Sequence, residues 1–272
     1  MSKFTPNPIV GLLLWLMAAF IVIGIGPMFF PMMGSTVSFA ALLWKLLGAT
    51  LLLVVNLALL GRAPGVAVLG LGPSARAFGL LALGTLSGLL LVGLWLAVFR
   101  LLVPVQLAPG TITPRELLLS FLIYLFGALL EELAFRGHAL LRLRERYGSV
   151  VAVLLVSVAF GVLHLPGMTG VNAIKIIALT GLSSSLFCFA YLASGSLWAA
   201  VGLHAGMNFM LHSLLGAGGG AGPSLLTPVY EQSAPPGFGT AFWCFILVQL
   251  VCGAGVILVW TRHNATRGEQ PR

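Results

Sequence analysis

The sequence predicts an all-α fold: a polytopic transmembrane helix bundle of about eight membrane spans. Three observations carry the prediction. Of 272 residues, 59% are hydrophobic and only 7% charged, with a mean hydropathy of +1.08, whereas a soluble domain needs about a quarter of its residues charged to cover its surface. The apolar residues gather into runs near the ~20 residues that one helix needs to cross a hydrocarbon core. Those runs also lack the two-residue alternation of a membrane barrel, which leaves helices to satisfy every backbone group within lipid.

The runs are approximately 9–33, 39–60, 77–99, 117–141, 149–165, 172–193, 196–215 and 239–261. The first exceeds a signal-peptide apolar region of about 7–15 residues and is expected to be a retained span. Turn chemistry separates the others: Gly61 to Pro73, Pro104 to Pro114, Gly148, Pro166-Gly167 and Gly195. Gly216 to Gly239 is the longest connection, rich in Gly and Pro, and is expected to be a mobile loop. No internal repeat is evident, which speaks against an inverted-repeat transporter. Residues 1–272 are therefore expected to form a single integral membrane domain.

The formal charge of +8 comes from 14 Lys and Arg against six Glu and no Asp. Most of the basic residues sit in the short gaps between apolar runs, where they orient a membrane protein; nucleic acid is set aside as a partner and the lipid bilayer takes its place. With the N-terminus inside, the cytoplasmic face carries Lys3, Arg62, Arg76, Arg142, Arg144, Arg146, Arg262, Arg267 and Arg272, and the opposite face Arg100 and Arg115. Both termini are then cytoplasmic. Cys188, Cys244 and Cys252 lie inside apolar runs with no CxxC pair, so they read as packing residues.

Ionisable side chains at membrane depth are costly and point to function. Glu131-Glu132-Leu133-Ala134-Phe135-Arg136 lies in the fourth run. At about 100° per residue, Glu132 and Arg136 share a helix face and can pair, while Glu131 points away and can face a cavity. Phe160 and His164 stand one turn apart in the fifth run, and His204 and Asn208 one turn apart in the seventh. Taken alone, either His is equally well explained by a hydrogen bond to a backbone carbonyl or to another helix. Together they supply a base, an imidazole to share protons, and donors for an oxyanion, which are the parts needed to add water to a peptide carbonyl. His138, close to the face of Glu131, is an auxiliary candidate.

The ordered set EExxxR, FxxxH and HxxxN on successive membrane helices resembles the CPBP family of intramembrane proteases, which includes the CAAX prenyl endopeptidase and bacterial relatives linked to bacteriocin processing and self-immunity. The matching residues are Glu131, Glu132 and Arg136, then Phe160 and His164, then His204 and Asn208. They define a catalytic core at approximately 115–215. The resemblance implies an intramembrane endopeptidase acting on a membrane-anchored protein or peptide, in a bacterial inner membrane. Carried over by position, Glu131 activates water with His164, His204 and Asn208 stabilise the oxyanion, and Glu132 with Arg136 form a structural ion pair. Glu131, His164 and His204 could together bind Zn²⁺ with a position open for water, but they lie on three helices without a local HExxH pair, so the cofactor is left open with a slight preference for none. A non-catalytic membrane immunity or binding protein that retains the fold is the alternative, and a proton relay through Glu131 and Glu132 is a third reading.

Overall fold

The computed structural model describes residues 37–60, 65–165, 169–217, 222–230 and 238–267. The expected span 9–33 and the Pro166-Gly167 break lie outside the described residues. In chain order the helices are α1 (Phe39–Leu60), the short α2 (Gly65–Val68), α3 (Ala75–Leu102), α4 (Pro114–Arg136), α5 (His138–Leu163), α6 (Gly170–Ser194), α7 (Leu197–Asn208), which runs into a π-helical turn (Phe209–Leu214), and α8 (Phe238–Arg267). Two strands, β1 (Val105–Pro109) and β2 (Leu226–Tyr230), form an antiparallel ribbon.

The protein is a helical membrane protein. Among the described residues, four helical stretches are long and apolar enough to cross a bilayer: Phe39–Leu60, Ala75–Leu102, Pro114–Leu163 and Gly170–Ser194. Between 28% and 33% of each span's most apolar window is buried, so the hydrophobic surplus faces outward, as lipid-facing surface does. The four stretches are fewer than the eight apolar runs for local reasons. The fourth and fifth runs join into one 50-residue stretch. α7 has only 12 residues before the π-helical turn, and Gly239–Gly255 is a shorter apolar helix.

Local chemistry sets the ends of the helices that matter here. Thr113 and Glu116 close a capping box at the start of α4, with Pro114 as its first residue. Gly195 ends α6 in the left-handed conformation, φ +68°. Ser196 then caps α7 and donates to the Gly70 carbonyl at 2.6 Å, so α7 starts beside the residues that lead into α3. The fourth run was expected to continue to residue 141, but α4 stops at Gly137. Here the buried Asn56 of α1 inserts its carboxamide: Nδ2 donates to the Leu133 carbonyl at 3.1 Å, and Oδ1 accepts from the His138 N–H. Gly148, at φ +81°, bends α5 again.

Helix directions follow from what touches what. On α3, Gly84 and Gly88 face the backbone of α7 at Ala199, Leu203 and Met207; Gly202 and Gly206 of α7 face Leu81 and Thr85 in return. Two GxxxG patterns thus interlock in parallel, which lets the backbones approach where side chains would hold them apart. α4 runs antiparallel to α7, since Phe121 meets Phe209 and Tyr124 meets His212, whereas His204 meets Glu132. α5 and α6 are antiparallel through Gly161 against Ile177 and Gly181 against Ser157.

The Gly216 to Gly239 connection is not wholly loop. Leu226–Tyr230 pairs with Val105–Pro109, and Gly110 and Ile112 extend the contact by donating to the Leu225 and Ser224 carbonyls at 2.8 and 3.1 Å. Composition had suggested a mobile segment because of its Gly and Pro, yet Pro228 is accommodated because each strand of a two-stranded ribbon is an edge.

Candidate active site

The last turn of α4 brings two adjacent carboxylates into different surroundings. Glu132 is fully buried. Its Oε2 lies 3.3 Å from Arg136 Nε, and Arg136 Nη1 donates to Oε1, also at 3.3 Å. The guanidinium is equally buried and is held from the other side by α6, where Nη2 donates to the Ser184 carbonyl at 2.8 Å and bonds the Ser184 hydroxyl. Phe160 and Phe187 present their rings at 4.9 and 5.4 Å from Arg136 Cζ. A buried cation needs acceptors and π faces around it, because one left without partners would carry its full desolvation cost; Nε faces Glu132 Oε2 as an ion pair without a hydrogen bond.

Glu132 also reaches α7. Its Oε1 accepts from His204 Nδ1 at 2.9 Å. The carboxylate is therefore shared between a guanidinium and an imidazole, and His204 is oriented by it. The Phe187 ring stacks on the His204 ring at 4.5 Å and 13°, while Phe160 meets it edge-on at 5.8 Å. With Nδ1 committed, His204 turns Nε2 toward Glu131, whose Oε2 is 3.8 Å away.

Glu131 is not bonded to Arg136. Its side chain is 19% exposed against 0% for Glu132, as the 100° step between neighbours on a helix requires. The fixed cations that act on it are Lys45 and Arg136. His164 ends α5, and its Nδ1 lies 2.8 Å from the Phe160 carbonyl. A carbonyl only accepts, so Nδ1 carries a proton, and Nε2 is the nitrogen left to the site. The backbone-carbonyl explanation of His164 and the site explanation thus hold together: one nitrogen is fixed and the other left available. Phe160 serves the site twice, through this carbonyl and through its ring.

Asn208 stands one turn beyond His204, half-buried, at the α-to-π junction. His138 heads α5 with its N–H on Asn56, which places it at the α4–α5 junction. Several residues that shape the site carry no motif: Ser184 and Phe187 of α6, and Asn56 and Lys45 of α1. Asn56 and Lys45 are isolated polar residues in the run 39–60, and that isolation was the available signal. Ser184 and Phe187 look like ordinary residues of an apolar helix.

Metal ligation was tested on the same geometry. Among the described residues, no three His, Cys, Asp or Glu side chains gather closely enough to hold an ion. Glu131, His164 and His204 as placed do not form a three-ligand set.

A carboxylate and two oriented imidazoles thus lie together inside a helical membrane bundle. Residues 113–210, from the cap of α4 into the π-helical turn, match the family model described as type II CAAX prenyl endopeptidase Rce1-like. That stretch, a little over a third of the chain, is thus similar to the CPBP/CAAX type of protease. No curated protein matches the chain.

Proposed function

We propose that the protein is an intramembrane endopeptidase in which Glu131 and His164 activate water for attack on a peptide carbonyl, and His204 and Asn208 stabilise the oxyanion. The observation that carries this reading is the division between the two carboxylates. Glu132 is consumed by Arg136 and His204, whereas Glu131 keeps its oxygens free, 3.8 Å from His204 Nε2 and partly exposed. A scaffold has no need to hold a free carboxylate at membrane depth.

In this mechanism Glu131 takes a proton from water, and the open Nε2 of His164 shares it before delivery to the leaving amine. The Asn208 carboxamide donates to the developing oxyanion. His204 gives Nδ1–H to Glu132, so it adds a second donor from Nε2 when its ring is doubly protonated. Glu132 and Arg136 act through His204 and the helix framework rather than on the substrate. The substrate is a membrane-anchored protein or peptide, of the CAAX tail or bacteriocin-precursor kind.

The reading extends to topology. α3, α7 and the 149–163 part of α5 run one way across the bundle, and α1, α4, α6 and α8 the other. Contacts such as Arg76 Nη2 on the Ser194 carbonyl and Trp95 Nε1 on the Ala241 carbonyl support this order. Adding 9–33 supports eight crossings in one domain over 1–272, the catalytic core at 115–215, both termini cytoplasmic, and residence in a bacterial inner membrane.

The test compares wild type with Glu131→Gln in detergent, using quenched-fluorescent peptides that include a farnesylated CAAX peptide. Cleavage by wild type and loss in the variant, at unchanged thermal stability, is expected. Equal cleavage by both removes Glu131 from the chemistry.

A further inference from the structure

The arginine-rich end of the bundle carries cations that the proposed chemistry leaves unused, and two of them converge. Arg76 stands in the first turn of α3, and Arg144 in the part of α5 before the bend at Gly148. Both reach the C-terminal end of α6. Arg76 Nη2 donates to the Ser194 carbonyl at 2.8 Å, and Arg144 is close enough for its charge to act on the Tyr191 side chain, one turn earlier. Arg144 is also held across the bend, where its Nε donates to the Ser149 hydroxyl at 3.1 Å. Orientation in a membrane requires only that such charges lie on one face. It does not require two helices to bring them to the end of a third.

The convergence leaves donors unspent. A guanidinium has five N–H groups, and both arginine side chains are exposed beyond the one bond each makes here. Beside them Tyr191 is only 4% exposed, and its hydroxyl has no hydrogen-bond partner among the described residues. Buried hydroxyls are ordinarily bonded. Two guanidinium groups and a phenol O–H gathered at one place suit a phosphate, which accepts several charge-assisted hydrogen bonds at once. The neighbouring arginines are engaged differently: Arg142 pairs with Glu145 at 2.8 Å, and Arg146 lies 6.0 Å from the Tyr147 ring centre.

The surface next to the cluster indicates what carries the phosphate. Just past the bend, α5 exposes Val150, Leu154, Val158 and Val162. Their spacing of four makes a stripe along one side of the helix for about 18 Å, close to the ~15 Å depth of one hydrocarbon leaflet. On α3, exposed apolar residues likewise begin at Phe78, two positions after Arg76. A phosphate site that opens onto apolar stripes on two helices fits a membrane lipid rather than a free anion. A zwitterionic headgroup would bring its own ammonium toward the same arginines, so a headgroup of net negative charge is favoured. We infer that Arg76, Arg144 and the Tyr191 hydroxyl form a binding site for the headgroup phosphate of an anionic phospholipid, whose acyl chains lie along α5 and α3. The inference does not rest on the endopeptidase reading.

The purified full chain in detergent is titrated with phosphatidylglycerol, with phosphatidylcholine of the same acyl chains, and with inorganic phosphate. Native mass spectrometry counts retained lipid, and the unfolding midpoint is followed in parallel. Phosphatidylglycerol is expected to stay bound and raise the midpoint, and the other two to do neither. Arg76→Gln and Arg144→Gln should each weaken phosphatidylglycerol binding about fivefold, the scale of one basic residue at an anionic membrane surface. Tyr191→Phe should weaken it too, without moving the midpoint measured in phosphatidylcholine. Arg142→Gln and Arg146→Gln remove the same charge from the same helix segment and should leave binding nearly unchanged. Each variant's shift is taken against its own midpoint in phosphatidylcholine, so a variant that folds less stably still reports on the headgroup. Equal weakening by all four arginine variants overturns the inference and leaves a diffuse positive face. Equal retention of the two lipids overturns it as well, and a midpoint raised as far by inorganic phosphate makes the site one for a free anion instead.

Discussion

Alanine placed at two glycines of the same helix, Gly79 and Gly88 of α3, should move stability in opposite directions. A Cβ at Gly79 meets nothing within 4 Å, and the residue is exposed on the outer face. There, alanine gains the helix-propensity difference of at most about 1 kcal/mol. A Cβ at Gly88 meets the Leu203 carbonyl oxygen and the Met207 amide nitrogen, the latter at 2.6 Å. Both obstacles are backbone and cannot rotate aside, so α3 and α7 must separate. Overpacking of this kind costs about 1–3 kcal/mol, which outweighs the propensity gain across most of that range. The separation also draws His204 away from Glu132, where the present spacing is 2.9 Å. Equilibrium unfolding in mixed micelles should therefore rank Gly79→Ala at or above wild type and Gly88→Ala below it, with peptide cleavage reduced only in the second. If Gly88→Ala matched Gly79→Ala in both measurements, the interlocked glycines would not be what fixes α7.

Two further substitutions probe the support of the site. Glu132→Gln leaves the fully buried Arg136 without its countercharge and should lower unfolding stability by about 3–5 kcal/mol, as expected for breaking a buried pair; Glu131→Gln, on the next residue, should change it little, and similar losses in both would refute the division of labour. Asn56→Leu removes the partners of the Leu133 carbonyl and the His138 N–H, two buried backbone groups at about 1–3 kcal/mol each. Its unfolding midpoint should drop and amide exchange at residue 138 should accelerate, whereas unchanged exchange would show that the α4–α5 break closes without the carboxamide.

How far the sequence exposed this site depended on the kind of signal each residue carried. Glu131, Glu132, Arg136, His164 and His204 were legible because ionisable groups are conspicuous in an apolar chain, and helical periodicity alone separated the surroundings of the two glutamates. The sharing of Glu132 with His204 was not legible, since it depends on how α4 and α7 cross. The end of α4 at Gly137 was hidden because apolar residues continue to 141, and the cause is the side chain of Asn56, 82 residues away in the hydrogen bond it makes to His138. The β ribbon was missed for a related reason: a pairing between residues 105–109 and 226–230 leaves no trace in either segment's composition. Gly84, Gly88, Gly202 and Gly206 were readable as paired GxxxG patterns, although hydropathy alone passes over them.

The arrangement also explains why the motif residues come in pairs one turn apart. In each pair one member fixes the other or the frame around it. Arg136 holds Glu132, so that Glu132 can orient His204 while Glu131, one residue back, is turned off that face. Phe160 accepts the Nδ1 proton of His164 through its carbonyl and packs its ring against His204 and Arg136, linking α5 to both other motif helices. Because each imidazole has one nitrogen bound within the protein, the remaining nitrogen is aimed by geometry rather than by solvent, which suits groups that must take or give a proton in a fixed place. Asn208 follows the same logic at backbone level. It is the last α-helical residue before the π-helical turn, where the helix widens, and Gly202 and Gly206 fix the helix on either side of His204 against α3. Gly84 and Gly88, one turn apart on α3, therefore set where His204 and Asn208 of α7 stand, and the site's precision lies as much in close backbone packing as in its polar residues.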